Sequence, residues 1–229
     1  MKDELGQRMK DYYEGRSRHY LLRRTPVIIR LDGKAFHTFT RSCEKPFDLN
    51  LIECMNAAAL EVAKGIQGCV AFYHQSDEVS FLIRDYQQLE SQAWFDYNQS
   101  KLESISASLM TGHFNNLFKS GNSLAFFDSR AFNIPKEEVV NAFLWRIMDY
   151  KRNSVAMVAQ DNFSPKQLHG KNVSNQKEML LEKGIDWEEY PHFLKYGSLW
   201  VRESSRNFEK VFFEPTYENL ESCFDDFLN

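Results

Sequence analysis

Val27-Ile28-Ile29-Arg30-Leu31-Asp32-Gly33 and Val70-Ala71-Phe72-Tyr73-His74-Gln75-Ser76-Asp77-Glu78-Val79-Ser80-Phe81-Leu82-Ile83 are the stretches that decide the fold. Each is an apolar, β-branched run interrupted by a short polar break that carries a carboxylate. Continuous runs of this kind predict strands, the first over Val27 to Leu31, the second over Cys69 to His74, the third over Val79 to Arg84. The break between the last two is so short that they must form a hairpin. Between the first and second, Leu51, Ile52, Met55, Ala58, Ala59, Val62 and Ile66 recur at helical spacing, which predicts a helix from Asn50 to Lys64 ended by Gly65 and Gly68. Leu102, Ile105, Leu109, His113 and Leu117 mark a second helix, stopped by Gly121, and Leu124 to Phe127 a fourth strand.

The order is therefore β-α-β-β-α-β, the split βαβ or ferredoxin-like arrangement of the α+β class. A right-handed crossover makes strands one and two parallel, and strand three inserts between them, antiparallel to both. The end of strand one then lies beside the start of strand three, which brings Asp32 to Asp77 and Glu78. This is the layout of a polymerase or cyclase palm. Two carboxylates held about 4 Å apart at an effective dielectric near 20 repel by about 4 kcal/mol. A divalent cation between them relieves that repulsion, and all-oxygen ligation suits Mg²⁺ and phosphate chemistry. Single acidic residues after strands also cap turns and helices; two at converging strand ends form a cluster that favours a site.

The chain has 229 residues, 43% hydrophobic and 14% aromatic, enough for one sizeable core or one domain with an appended lobe. Its formal net charge is −4, so no global positive field attracts nucleic acid, and RNA binding needs a local basic face. Cys43, Cys54, Cys69 and Cys223 form no CxxC or zinc-ligand spacing and are expected to be reduced thiols of a cytoplasmic protein. No apolar run is long enough to span a membrane. The start lacks the apolar core of a signal peptide, and its Lys2-Asp3-Glu4-Leu5 string is at the wrong end for a retention signal.

An N-terminal helix is expected over Lys2 to Tyr13, followed by the basic stretch Arg16, Arg18, Arg23 and Arg24, which also fits a solvated loop. A long helix begins after Pro135 with apolar positions Val140, Phe143, Leu144, Ile147, Val155 and Val158, interrupted by the cations of Lys151-Arg152-Asn153-Ser154. Another element starts at Ser164-Pro165, and Met179 to Leu181 suggest a short helix before Gly184. Trp200, Val201, Val211, Phe212 and Phe213 suggest a late hairpin. The expected division is an N-terminal helix and palm over 1–134 and a helical lobe with the hairpin over 135–229, packed as one compact unit.

Gly33 lets the backbone approach a ligand, and successive N–H groups from Lys34 through Ala35 and Phe36 to His37 can form an anion nest. His37 also reads as an ordinary turn histidine. Lys45-Pro46-Phe47-Asp48 supplies a cation for phosphate and a carboxylate for ribose or base, or simply a Pro-fixed loop. Lys151, Arg152, Lys171 and Lys177 suit a second triphosphate or an RNA backbone, or a solvated helix face.

Arg30-Leu31-Asp32-Gly33-Lys34-Ala35-Phe36-His37-Thr38-Phe39, Lys45-Pro46-Phe47-Asp48 and Ser76-Asp77-Glu78-Val79-Ser80-Phe81 together resemble the tRNA(His) guanylyltransferase superfamily. Phe127-Asp128-Ser129-Arg130, Trp145-Arg146 and Gly184-Ile185-Asp186-Trp187 extend the resemblance along nearly the whole chain. It implies a palm with an added helical region, often a homotetramer built as a dimer of dimers, that adds nucleotides to the 5′ end of RNA in the 3′-to-5′ direction. It implies two Mg²⁺ ions on Asp32, Asp77 and the Gly33 carbonyl. Lys34 to His37, Lys45 and Ser76 would hold the triphosphate, Asp48 would lie near the nucleoside, and Glu78 would serve in the catalytic group. Arg130, Lys151, Arg152, Asn153, Lys171 and Lys177 would face RNA or a second triphosphate.

The family's His-Ile-Asn-Asn-Leu-Tyr motif in the long helix reads Lys151-Arg152-Asn153-Ser154-Val155-Ala156 here, and its Asp-Lys-Asn-Glu stretch reads Asn175-Gln176-Lys177-Glu178. The first departure looks like the guanylyltransferase-like branch. The expected function is thus template-dependent 5′-end repair of truncated tRNA with NTPs, after activation of a 5′ monophosphate by ATP or GTP. The alternatives are guanylate addition to tRNA(His) at position −1, a nucleotide cyclase, and a non-catalytic RNA-binding protein. Gln75-Ser76-Asp77-Glu78 stands where a diguanylate cyclase has its GG-acidic-acidic-Phe turn.

Overall fold

The computed structural model describes residues 3–119, 123–204 and 207–228. After an N-terminal helix α1 (Glu4–Tyr12), the chain forms β1 (Val27–Gly33), a short α2 (Phe36–Phe39), α3 (Leu49–Gly65), β2 (Cys69–Gln75), β3 (Glu78–Ile83) and α4 (Gln99–Leu117). Then come β4 (Phe127–Asn133), the long α5 (Val139–Asn162), α6 (Pro165–Leu168), α7 (Val173–Glu182), α8 (His192–Tyr196), β5 (Ser198–Arg202), β6 (Phe208–Val211) and α9 (Tyr217–Leu228).

One sheet of order β4-β1-β3-β2-β5-β6 runs through the molecule, every neighbouring pair antiparallel. Strand β3 lies between β1 and β2, as the split βαβ order requires. All residues of β2 and β3 are buried, because these central strands are covered on both faces. On one face Val27, Ile29, Leu31, Phe72, Phe81 and Ile83 pack with Met55 and Val62 of α3 and Met110 and Phe114 of α4. On the other, Ile28, Val70 and Leu82 pack with Val140, Phe143 and Ile147 of α5 and Leu220 and Phe224 of α9. Each such side chain contributes about 1.5–3 kcal/mol on full burial. The second half of α5 leaves the sheet, and Val155, Val158 and Ala159 pack on Leu180 and Trp187.

Two expectations are corrected. Strand four runs over Phe127–Asn133 rather than Leu124 to Phe127. It is an edge strand with one open face, so Asp128, Arg130 and Phe132 point to solvent while Phe127 and Ala131 face the core. The cations at Lys151 and Arg152 do not interrupt α5, which runs unbroken because Tyr150, Ser154 and Val155 continue its buried stripe. The late hairpin forms as β5 and β6, Leu199 opposite Val211, and it also continues the palm sheet, β5 pairing with β2 through Ala71↔Val201 and Tyr73↔Leu199. Helix α9 follows it, its apolar face buried. Finally, α4 ends at Leu117 with Phe118 as its cap, and the expected stop, Gly121, lies outside the described residues.

The junction into β5 depends on Gly197, at φ 79° and ψ −163°, a region open essentially only to glycine. An added Cβ would stand 2.6 Å from the His74 carbonyl oxygen and 2.6 Å from Tyr73 Oη, which itself donates to the Tyr196 carbonyl at 2.7 Å. Gly197→Ala is expected to destabilise by about 2 kcal/mol or more, lowering Tm by about 4–8 °C. An unchanged melting curve would refute this account of the junction.

Candidate active site

Asp32 is the penultimate residue of β1, and its cross-strand neighbours are Glu78 on β3 and Asp128 on β4. Directly opposed residues share a face, so three carboxylates stand in a row across the end of the sheet. Asp77 joins them from the two-residue turn between β2 and β3. Ser76 in that turn adopts a left-handed conformation, with φ 51°. His74 holds the turn from below, its Nε2 lying 2.9 Å from the Ser76 carbonyl and its Nδ1 3.1 Å from the Asn56 side-chain amide.

Among the described residues, no cation lies within ion-pair distance of Asp32, Asp77 or Asp128. Glu78 differs: Arg146 of α5 donates to both its oxygens, at 2.6 and 2.7 Å. Burial first, and the Asp32 carboxylate second, push Asp77 up to about 6. The repulsion expected from the sequence is thus present in the folded chain. No group of three His, Cys, Asp or Glu side chains among the described residues is placed to hold a metal ion. The pair nevertheless fits a hard divalent cation: its donors are all oxygen, and its uncompensated charge is what such an ion neutralises.

Gly33 is buried at the end of β1 for a reason the sequence did not disclose. A Cβ there would stand 2.3 Å from the Phe36 ring and 3.0 Å from the Asp77 Cβ. Its bare Cα lets the Ser76–Asp77 turn and Phe36 close over the strand, rather than leaving room for a ligand. Lys34 N–H is taken by the Phe126 carbonyl at 2.8 Å. Ala35 is left-handed, at φ 51°, and starts α2 without a side-chain cap. The first N–H groups of a helix have no intrahelical acceptor, so this turn keeps donors for an anion.

Beside the carboxylates opens a cavity of about 330 Å³. It gathers Phe36, His37, Lys45, Asp48, Ser76 and Asp77 of the residues singled out from sequence. Thr40, Cys43, Glu44, Pro46, Phe47, Leu51, Ile52, Tyr150 and Met157 complete its wall. Asp32, Gly33, Lys34, Ala35 and Glu78 are not in that wall. Asp48 serves first as the N-cap of α3: Oδ1 accepts from Leu51 N–H at 2.9 Å and Oδ2 from Glu44 N–H at 3.1 Å, folding the Lys45–Phe47 loop over the cavity. Lys45 Nζ reaches the Thr40 carbonyl at 3.3 Å, and His37 Nε2 lies 3.1 Å from Thr38 Oγ1.

The other basic candidates lie apart from this cavity. Arg130 is exposed on β4, opposite Arg30. Arg152 pairs with Asp149 at 2.7 Å, and Asn153 is exposed on α5. Lys151 stands 5.7 Å from the centre of the Tyr196 ring. Lys177 is held by Glu188 at 2.6 Å and lies 3.8 Å over the Trp187 ring, whereas Lys171 is exposed before α7. Sequence reasoning missed Tyr150 and Met157 in the wall; their spacing of seven on the apolar stripe of α5 was the available signal.

The profile of the tRNAHis guanylyltransferase family (Thg1) matches residues 6–135. A tRNA(His) guanylyltransferase of Schizosaccharomyces pombe is 35% identical over 204 residues, covering 80% of this chain and 76% of that protein. A solved bacterial tRNA(His) guanylyltransferase-like protein in complex with ATP is similar at a TM-score of 0.86 and 39% identity, covering 97% of this chain and 96% of that one. One in complex with GTP gives a TM-score of 0.80 at 36% identity, covering 98% and 97%.

Burial lowers His74 to about 4, so the ring is neutral in the folded chain near neutral pH. Unfolding frees it to bind a proton below about 6.5, so the unfolded state gains protons between these values. Stability is complete above about pH 6.5 and falls as pH drops toward 4, by roughly 2–3 kcal/mol at pH 4.5 from this residue. Urea unfolding at pH 7 and 4.5 is expected to show a smaller pH difference for His74→Gln than for the wild type; equal differences would remove His74 as the cause.

Proposed function

This chain is a nucleotidyltransferase of the tRNAHis guanylyltransferase family, and from that premise we propose that it adds nucleotides to the 5′ end of tRNA. The observation that carries the reading is the Asp32–Asp77 pair at the side of a cavity of about 330 Å³. ATP and GTP, which the similar solved proteins hold, are the nucleotides proposed for it.

The cavity would take the nucleoside between the Lys45–Phe47 loop and Leu51, Ile52 and Met157. The uncapped turn at Ala35 and the Ser76–Asp77 turn would receive the triphosphate. Asp32, Asp77 and the Gly33 carbonyl would hold Mg²⁺, which when bound lowers the pKa of an attacking hydroxyl and neutralises phosphate charge. The reaction is attack of an NTP 3′-hydroxyl on an activated 5′ phosphate, with loss of pyrophosphate or AMP. The chain's own role is to orient these groups and to exclude water from them.

The names of the curated relatives favour guanylate addition to tRNA(His) over the repair of truncated tRNA. We therefore take guanylate addition as the leading reading. Templated repair is the second, favoured by Lys151 where the family motif has histidine. The deciding assay offers labelled NTPs and Mg²⁺ to tRNA(His) lacking its extra guanylate, to a tRNA lacking its first 5′ nucleotide, and to no RNA. Label on the first alone supports guanylate addition, and template-matched label on the second supports repair. A cyclic product without RNA, or no turnover at all, overturns both.

In that assay Asp32→Asn and Asp77→Asn are each expected to lower addition about a hundredfold or more, the scale for losing one electrostatic anchor of a transition state. Tm should hold or rise, because each variant removes the unscreened repulsion. Near-normal turnover by either variant contradicts the metal assignment.

We further propose that several copies of a chain of net charge −4 build the RNA groove together, as a homotetramer. Light scattering at assay concentrations should then give four times the chain mass. A monomer still active on tRNA rules this out.

A further inference from the structure

Glu78 begins β3 directly after Asp77 and opposite Asp32, yet its carboxylate faces α5. Arg146 Nε lies 2.6 Å from Glu78 Oε1 and Arg146 Nη2 2.7 Å from Glu78 Oε2, the two parallel bonds of a guanidinium–carboxylate fork. The same Nη2 reaches Asp149 Oδ2 at 3.2 Å, and Asp149 Oδ1 is held by Arg152 at 2.7 Å. The fork is enclosed, its side chains 13% and 9% exposed. The Trp145 ring lies under both Arg146 and Arg30, with centroids 4.6 and 5.6 Å away. A continuous chain of contacts therefore joins Arg152 on α5, through Asp149 and Arg146, to the residue after Asp77.

A fork of this kind is poorly accounted for by stability alone. Enclosed ion pairs lose much of their attraction to desolvation, and apolar replacements of similar volume often do as well. What the fork supplies is a fixed direction: a planar guanidinium holds a carboxylate in one orientation, whereas an ammonium does not. We propose that Arg146 is a positioning residue for nucleotidyl transfer. It fixes Glu78, and through it the Ser76–Asp77 turn, in register with the segment of α5 that starts at Lys151. It also cancels the charge of Glu78, which would otherwise add to the repulsion between Asp32 and Asp77. This assignment rests on the function proposed above.

The test separates orientation from charge. Arg146→Lys keeps the positive charge and loses the fork. Its kcat for 5′ addition is expected to fall 10- to 100-fold, while KM for the NTP and calorimetric affinity for ATP with Mg²⁺ stay within about twofold. Its melting temperature is expected to stay close to that of the wild type. Glu78→Gln/Arg146→Gln removes both charges of the fork; Arg30, 3.9 Å from Glu78, then keeps its stacking on Trp145, and Asp149 keeps Arg152. It should lose no more kcat than Glu78→Gln alone, because the two residues act as one unit. An Arg146→Lys variant with unchanged kcat, or a loss that appears in ATP affinity or melting temperature instead of kcat, overturns the assignment while the functional reading stands. A wild-type protein that adds nothing to any 5′ end overturns the functional reading, and this assignment with it.

Discussion

The repulsion between Asp32 and Asp77 is the constraint on which the rest of this structure depends. A chain free to relax would move these like charges away from each other. Here that movement is resisted from every side. Asp32 is locked by pairing with both β3 and β4. Asp77 is locked by a turn whose left-handed Ser76 is held by His74. Phe36 closes over Gly33 from above. Burial first and the Asp32 charge second raise the Asp77 carboxyl, and the buried apolar contacts on both faces of β1 and β3 offset that cost.

The neighbourhood of the two carboxylates was legible because only local rules were needed. A two-residue break between strand-like runs forces a hairpin, and the hand of a βαβ crossover forces the third strand between the first two. The face of α3 followed from its spacing in the same way. Strand β4 escapes the pattern of a continuous apolar run because an edge strand alternates. Phe127 and Ala131 carry that alternation among polar residues. The partner of the hairpin could not be read at all, since the pairing of Ala71 with Val201 leaves no trace in either segment.

The site shows the same division between local and distant information. His37, Lys45, Asp48, Ser76 and Asp77 come to one cavity because they lie in three short segments that the palm topology converges. Asp48 followed by Leu49, Asn50 and Leu51 also carried a readable signal of another kind, that of a helix cap. Arg146 carries no local signal beyond the Trp145-Arg146 pair. On a helix rich in charge it looks like one more residue of a solvated face, and its partner, Glu78, is far away in sequence.

The position of β5 has a consequence for how the protein can be divided. Strand β2 carries the approach to Ser76 and Asp77, and its outer edge is paired with β5, near the end of the chain. A fragment cut after β4 would contain every strand of the palm motif, yet β2 would become an open edge. The Tyr73 hydroxyl would lose the Tyr196 carbonyl, and a row of unpaired amides on a strand whose side chains are all buried would invite another chain to pair with it. During synthesis the growing chain meets the same problem, because its palm half emerges first and stays unsealed until the hairpin arrives.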